Sequence, residues 1–116
     1  MTDDLTKSVI VTGASRGIGR VVAKRLSRDG FAVTVNYAGN AVKADEDVAE
    51  INAAGGKAIA VQGDVANPAD VARLFKGAVD TFGGISALVN CAIATGDLEV
   101  FDRLIATNLR GTFAVL

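Results

Sequence analysis

Histidine and tryptophan are absent from this sequence, and cysteine, tyrosine, proline and methionine each occur once. Without an imidazole there is no base for a Ser-His-Asp hydrolase. With Cys91 as the single thiol, a metal site of Cys and His ligands is excluded, and so is a disulfide scaffold. No apolar run approaches the ~20 residues that carry a helix across a bilayer. The opening residues MTDDLTK lack the basic start and apolar core of a secretory signal, so a cytoplasmic chain is expected. An excess of one charge is lacking too: 12 basic residues face 13 acidic ones, a net charge of −1. General affinity for nucleic acid or for an anionic membrane is therefore not expected. Arg16, Arg20, Lys24, Arg25 and Arg28 form a local basic cluster. A solvated helix face accounts for most of it, leaving one or two of these side chains for a ligand.

Half of the 116 residues are apolar, which suits one soluble domain with one core and leaves no room for two. Short β-branched runs alternate with helical patterns. Strands are predicted at residues 8–12, 32–36, 58–61 and 87–90, where Val, Ile, Ala and Leu run together. Between them, Ile18, Val21, Val22 and Leu26 form one helical stripe closed by Gly30. A second helix over about 41–54 turns Ala44, Val48 and Ile51 inward and ends at Gly55-Gly56. Asn67 as cap, Pro68 at the first helical position and Asp70 at the positive end start a third. Its Val71, Leu74, Phe75, Ala78 and Phe82 recur at helical spacing up to Gly83-Gly84. Asp97 is read as the cap of a final helix carrying Phe101, Leu104, Ile105, Leu109 and Phe113. Repeated strand–helix units of this length imply an α/β fold of Rossmann type, a parallel sheet with helices on both faces.

The run VTGASRGIGR at residues 11–20 places three glycines between a buried strand and an amphipathic helix. The first amides of a helix are unpaired and its dipole favours negative charge, so such a turn suits a phosphate. Gly13 permits the tight turn, Gly17 admits a pyrophosphate to the backbone, and Gly19 allows close packing of the helix. No Gly-Lys-Ser/Thr follows, which excludes a P-loop.

TGASRGIG at residues 12–19 resembles the cofactor motif of the short-chain dehydrogenases/reductases. The similarity continues through GDV at 63–65, LVNCA at 88–92 and FDRLIATNLRGTF at 101–113. It is nearest to the branch of 3-oxoacyl-(acyl-carrier-protein) reductases. The resemblance implies sheet order 3-2-1-4 in an NAD(P)-binding domain over residues 1–116. It implies that Gly13, Ser15, Arg16, Gly17, Ile18 and Gly19 surround the cofactor phosphates and adenosine ribose. Asp64 and Val65 would flank the adenine, with the Asp64 carboxylate accepting from its amino group. Asn90 and Ala92 would line the cofactor, and Asn108 matches the catalytic asparagine that holds a water in the proton relay.

A carboxylate at the end of the second strand would bind a ribose 2′-hydroxyl and repel a 2′-phosphate. Here that end reads Asn36-Tyr37-Ala38, and Arg16 is placed to meet a 2′-phosphate. NADP is therefore expected over NAD, with Asn36 at the cofactor. The family's chemistry also needs a tyrosine acid/base with a lysine four residues later. Tyr37 is the single tyrosine and Ala41 lies four beyond it. NCAI at 90–93 departs from the family's Asn-Asn-Ala-Gly, and the connection to Asp97 is short, by a true deletion or by an omitted segment. The expectation is a part of an NADP-dependent oxidoreductase acting on a carbonyl or secondary alcohol, and a homo-oligomer. Taken alone, this chain binds cofactor and is catalytically incomplete. The alternative is a nucleotide-binding or regulatory module without activity.

Overall fold

A computed structural model describes residues 7–15 and 17–91. Arg16, Ala92, Asn108 and the helix read from Asp97 onward lie outside the described residues. The elements run β1 (Ser8–Thr12), α1 (Gly17–Arg28), β2 (Ala32–Tyr37), α2 (Ala41–Ala53), β3 (Lys57–Gln62), α3 (Pro68–Phe82) and β4 (Ala87–Asn90). All strand pairs are parallel, and the sheet order is β3-β2-β1-β4. β1 to β3 step outward in one direction, and β4 then returns to the far side of β1. Parallel crossovers keep one hand, so this reversal carries α3 to the opposite face from α1 and α2.

The core follows from that reversal. β1 is buried at all five positions because it has a strand on each side and helices on each face. Val9 and Val11 join Ala14, Ala23, Val33, Val35, Ala44, Ile51 and Ala58 in the layer under α1 and α2. Ile10 points the other way, into Val71, Leu74, Phe75, Ala78 and Ile85. Strand alternation thus assigns successive side chains of β1 to two separate cores. Among the described residues, β4 is paired on one side only, with β1.

The helix ends match their caps. Asn67 Oδ1 accepts from the amides of Ala69 (2.9 Å) and Asp70 (3.1 Å), with Pro68 following. Gly83, at φ 85°, closes α3 in the left-handed region. Asn40 caps α2 through the Lys43 amide at 3.1 Å. Asn52 near the end of α2 makes a reciprocal pair with the edge strand β3, accepting from Ala58 N at 2.9 Å and donating to Ala58 O at 3.4 Å.

α1 corrects the sequence reading at two positions. Ile18 is 77% exposed and Val21 67%, whereas Gly19 and Ala23 are buried and Val22 and Leu26 pack half-buried on the core. The helix lies so close to the β1 turn that its contact stripe is built from its smallest residues at i and i+4. Ile18 and Val21 are rotated away from that stripe.

Of the basic cluster, Arg25 and Arg28 are exposed, as a solvated helix face would be, while Arg20 and Lys24 pair with α2. Arg20 Nε lies 2.8 Å from Asp47 Oδ1, and Lys24 and Arg20 both reach Glu50, tying α1 to α2. Arg25 pairs with Asp29 one turn on. Asp47 is 1% exposed, and neither of its oxygens receives a well-aligned hydrogen bond. Burial raises its pKa above the ordinary 3.8, against the opposing pull of Arg20 and Lys24. Glu50 is shifted below its ordinary 4.5, first by the hydrogen bond from Lys24 and then by that group's charge.

These opposite shifts give opposite pH dependences. A carboxyl whose folded pKa is raised favours folding below its ordinary value, and that advantage is lost as pH rises through the folded value. A lowered one favours folding above its ordinary value, and the advantage is lost as pH falls through the folded value. Urea unfolding of Asp47→Asn and Glu50→Gln across about pH 3.5 to 7 checks this. Relative to Asp47→Asn, the parent should lose stability as pH climbs from 3.8 upward. Relative to Glu50→Gln, it should lose stability as pH drops below 4.5.

Candidate functional site

Four parallel strands bring their carboxyl ends to one edge of the sheet. The strand order reverses between β1 and β4, and there the loops leave in opposite directions. In open sheets of this kind the crevice outside that reversal is where ligands bind. The turn after β1 stands at this point.

Its three glycines are required for two different reasons. Gly13 and Gly17 have φ of 61° and 62°, in the left-handed region that costs an L-residue about 1–2 kcal/mol. Gly19 has no such backbone; instead a Cβ there would fall 2.2 Å from the Gly13 carbonyl oxygen and 2.8 Å from its carbon. The first turn of α1 therefore rests on the β1 turn itself. In front of Gly17 the space is open, with nothing within 4 Å of a built Cβ. No acid occupies the first turn of α1. Bare backbone, unpaired helical amides and an open approach are what a diphosphate needs. Ser15 is 7% exposed within the turn, and Ile18 projects from the start of the helix.

The neighbouring loops are held by polar side chains that take over where the β-ladder stops. Ala14 N donates to Asn36 O at 2.9 Å, stitching the glycine turn to β2. Asn36 is 2% exposed, and its amide donates to Val61 O (3.3 Å) and Gly63 O (3.2 Å). It thus lies beneath the site, fastening the loop after β3, with its side-chain donors already engaged. That loop carries Asp64 and Val65. Asp64 is exposed; its Oδ1 accepts from Ala66 N at 2.9 Å, and its own amide donates to Asp70 Oδ2 at 2.9 Å. A carboxylate has further lone pairs for a ligand donor. Val65 is 8% exposed beside it.

On the other side of β1, Thr12 Oγ1 donates to Asn90 Oδ1 at 2.7 Å and accepts from Cys91 N at 3.1 Å. The side chain of Thr12 is fully buried and fixes where Asn90 leaves β4. The structure therefore brings Gly13, Ser15, Gly17, Ile18, Gly19, Asp64, Val65 and Asn90 to one edge, with Asn36 under it. Arg16, Ala92 and Asn108 are outside the described residues. Sequence reading missed Thr12, Gln62, Asp70 and Arg73 as organisers of this edge. Thr12 offered a signal: it is a polar residue at the end of a fully buried strand. Asp70 was read as a helix-start acid, and its second role on the Asp64 amide depends on how α3 docks. Among the described residues, no group of three or more His, Cys, Asp or Glu is arranged to hold a metal ion.

A parallel sheet that reverses its order beside such a turn defines the doubly wound, Rossmann-like class. A family model described as short chain dehydrogenase matches residues 7–116, and the chain belongs to the short-chain dehydrogenase/reductase family. It is 44% identical over 116 residues to the 3-oxoacyl-(acyl-carrier-protein) reductase FabG of Staphylococcus aureus strain Mu50, covering 94% of this chain and 47% of that protein. A short chain dehydrogenase from Burkholderia cenocepacia J2315, solved in complex with NADP, superposes with TM-score 0.78 at 34% identity, over 93% of this chain and 50% of that one. A dehydrogenase/reductase from Sinorhizobium meliloti 1021 gives TM-score 0.72 at 36% identity, over 92% and 45%. The chain spans about half the length of the curated relatives it matches.

Gly19→Ala should be far more damaging than alanine at an unconstrained glycine. Because the added methyl meets backbone atoms, a loss of about 2 kcal/mol or more is expected in urea unfolding. Gly39→Ala, where nothing lies within 4 Å of the new Cβ, is the control and should stay within about 0.5 kcal/mol of the parent.

Proposed function

We propose that this chain is the dinucleotide-holding part of an NADP-dependent oxidoreductase that transfers hydride between the nicotinamide and a carbonyl or secondary alcohol. The observation that carries the reading is the β1–α1 turn. It places left-handed glycines and an acid-free helix start at the point where the sheet reverses. Those residues fit a diphosphate. Gly13, Gly17 and the first amides of α1 would hold it, and Ser15, Ile18 and Gly19 would shape its surroundings. Asp64 and Val65 would receive the adenine, and Asn90 with Ala92 the far end of the cofactor. When bound, the reduced cofactor supplies the hydride. The residues of this chain bind it, orient it and keep its phosphates on the sheet edge.

Preference for the 2′-phosphate rests on charge. The turn from Tyr37 to Asn40 has no carboxylate, the first turn of α2 has no acid, and Lys43 lies in that turn. A positive helix end with a cation in its first turn is unfavourable by itself and favourable beside an anion. Arg16 supplies a guanidinium from the glycine turn for the same group. The proton-transfer pair that the family uses is not found among these residues, since Ala41 stands four after Tyr37. Asn108 would contribute the relay asparagine. A second reading is a nucleotide-binding or regulatory module without turnover. NADPH consumption with an acetoacetyl-type substrate separates the two. A homo-oligomer is part of the proposal, on the likeness to the family. Among the described residues, no helix is long and apolar enough to cross a membrane.

Thermal unfolding with each cofactor tests the binding claim. At a hundredfold excess over Kd, NADPH should add about 2.7 kcal/mol of apparent stability. NADH at the same concentration should add less. Arg16→Ala should weaken NADPH about tenfold or more and leave NADH nearly unchanged, as expected for one charge-assisted contact. If neither dinucleotide shifted the transition, the proposed function would be wrong.

A further inference from the structure

The backbone ladder between β2 and β3 ends at Tyr37 and Gln62, with Gly63 N donating to Tyr37 O at 2.9 Å as its last rung. One residue later the Ala38 carbonyl has left the ladder. It accepts instead from the Gln62 side chain, Nε2 to O at 2.9 Å. Gln62 is itself held from behind. Arg73 Nη2, on α3, donates to both the Gln62 carbonyl and, at 3.1 Å, its Oε1. Arg73 Nη1 lies 3.4 Å from Asp70 Oδ1, and the other Asp70 oxygen accepts from Asp64 N. A continuous polar strap therefore runs from the turn after β2, across the end of β3, to α3 and back to the Asp64 loop. Its two ends are the two loops between which an adenosine would lie.

We propose that Gln62, braced by Arg73, is a positioning residue that sets how strongly the site distinguishes a ribose 2′-phosphate from a 2′-hydroxyl. This rests on the cofactor reading above. The turn at Ala38–Asn40 carries no acid to define the 2′ position by attraction or repulsion, so its discrimination depends on where its backbone and the α2 amides are held. Asn36 anchors the β3 loop from beneath, and its donors go to Val61 and Gly63 rather than to this turn. Gln62 supplies the side-chain bond at Ala38 O, and Gly39 beside it is unhindered. Removing the Gln62 amide leaves Ala38 O to water and frees the turn. A loosened turn weakens contacts to the 2′-phosphate and leaves the shared diphosphate and adenine contacts in place.

The test is the ratio of Kd for NADH to Kd for NADPH, by titration of the full chain. Gln62→Ala should lower that ratio about fivefold, the worth of one ordinary hydrogen bond. Arg73→Ala should lower it less, and the double variant should equal Gln62→Ala, because Arg73 acts through Gln62. A general loss of stability would weaken both cofactors alike and leave the ratio unmoved. Amide exchange of Gly39 and Asn40 in the ligand-free chain should quicken in Gln62→Ala, with Gly77 in α3 unchanged. A ratio within twofold of the parent overturns the strap and leaves the function standing. A parent that binds neither dinucleotide overturns both.

Discussion

The close seat of α1 on the β1 turn is the constraint from which the rest of the site follows. Gly19 meets the Gly13 carbonyl where any side chain would collide. This contact draws the helix start down onto the end of the central strand. Ala23 follows one turn later as the next buried residue, and Val22 and Leu26 flank the seam. The unpaired amides of the helix are thereby held beside the reversal in strand order. A larger residue at position 19 would lift the helix and shift its amides away from the end of β1.

Around that seat, the carboxyl edge of the sheet is finished by side chains instead of backbone rungs. Thr12 ties β1 to Asn90, Asn36 ties β2 to the loop after β3, and Asp70 ties α3 to Asp64. At Thr12 and Asn36 the strand ends would otherwise leave buried or half-buried polar groups unpaired, at a cost of about 1–3 kcal/mol apiece. The same bonds that satisfy the backbone also fix the loops from which a ligand must be held. The opposite requirement appears between α1 and α2. There Asp47 is buried beside Arg20 with neither oxygen well hydrogen-bonded, so the pair locates the two helices more than it stabilises them.

The chain spans about half the length of the curated relatives it matches. The described residues contain the sheet reversal, the glycine turn and the loops after β2 and β3. In the proposed function, binding and orientation would fall to them. The acid/base pair of the family does not occur in these residues, and the only tyrosine, Tyr37, closes β2.

Much of the architecture was readable without coordinates, because strands, caps and glycine turns are written in local spacing. Asn67-Pro68, Gly83 and the alternation of β-branched runs specify their elements with neighbours a few residues away. TGASRGIG also announced a turn in which glycine was indispensable. Gly13 was read for the tight turn and Gly19 for close packing, as their geometry has it. What the motif did not announce was that Gly17 also has a left-handed φ and that Gly19 packs on a carbonyl six residues back. Nor could periodicity tell which apolar stripe of α1 faces the sheet, so Ile18 and Val21 emerged exposed. Asn36 was expected at the cofactor; that it is a buried brace could not be read, because its partners Val61 and Gly63 lie on the neighbouring strand and its loop. Local sequence determined which elements form; tertiary packing alone decided which side chains meet, since those contacts join residues 25 or more apart in the chain.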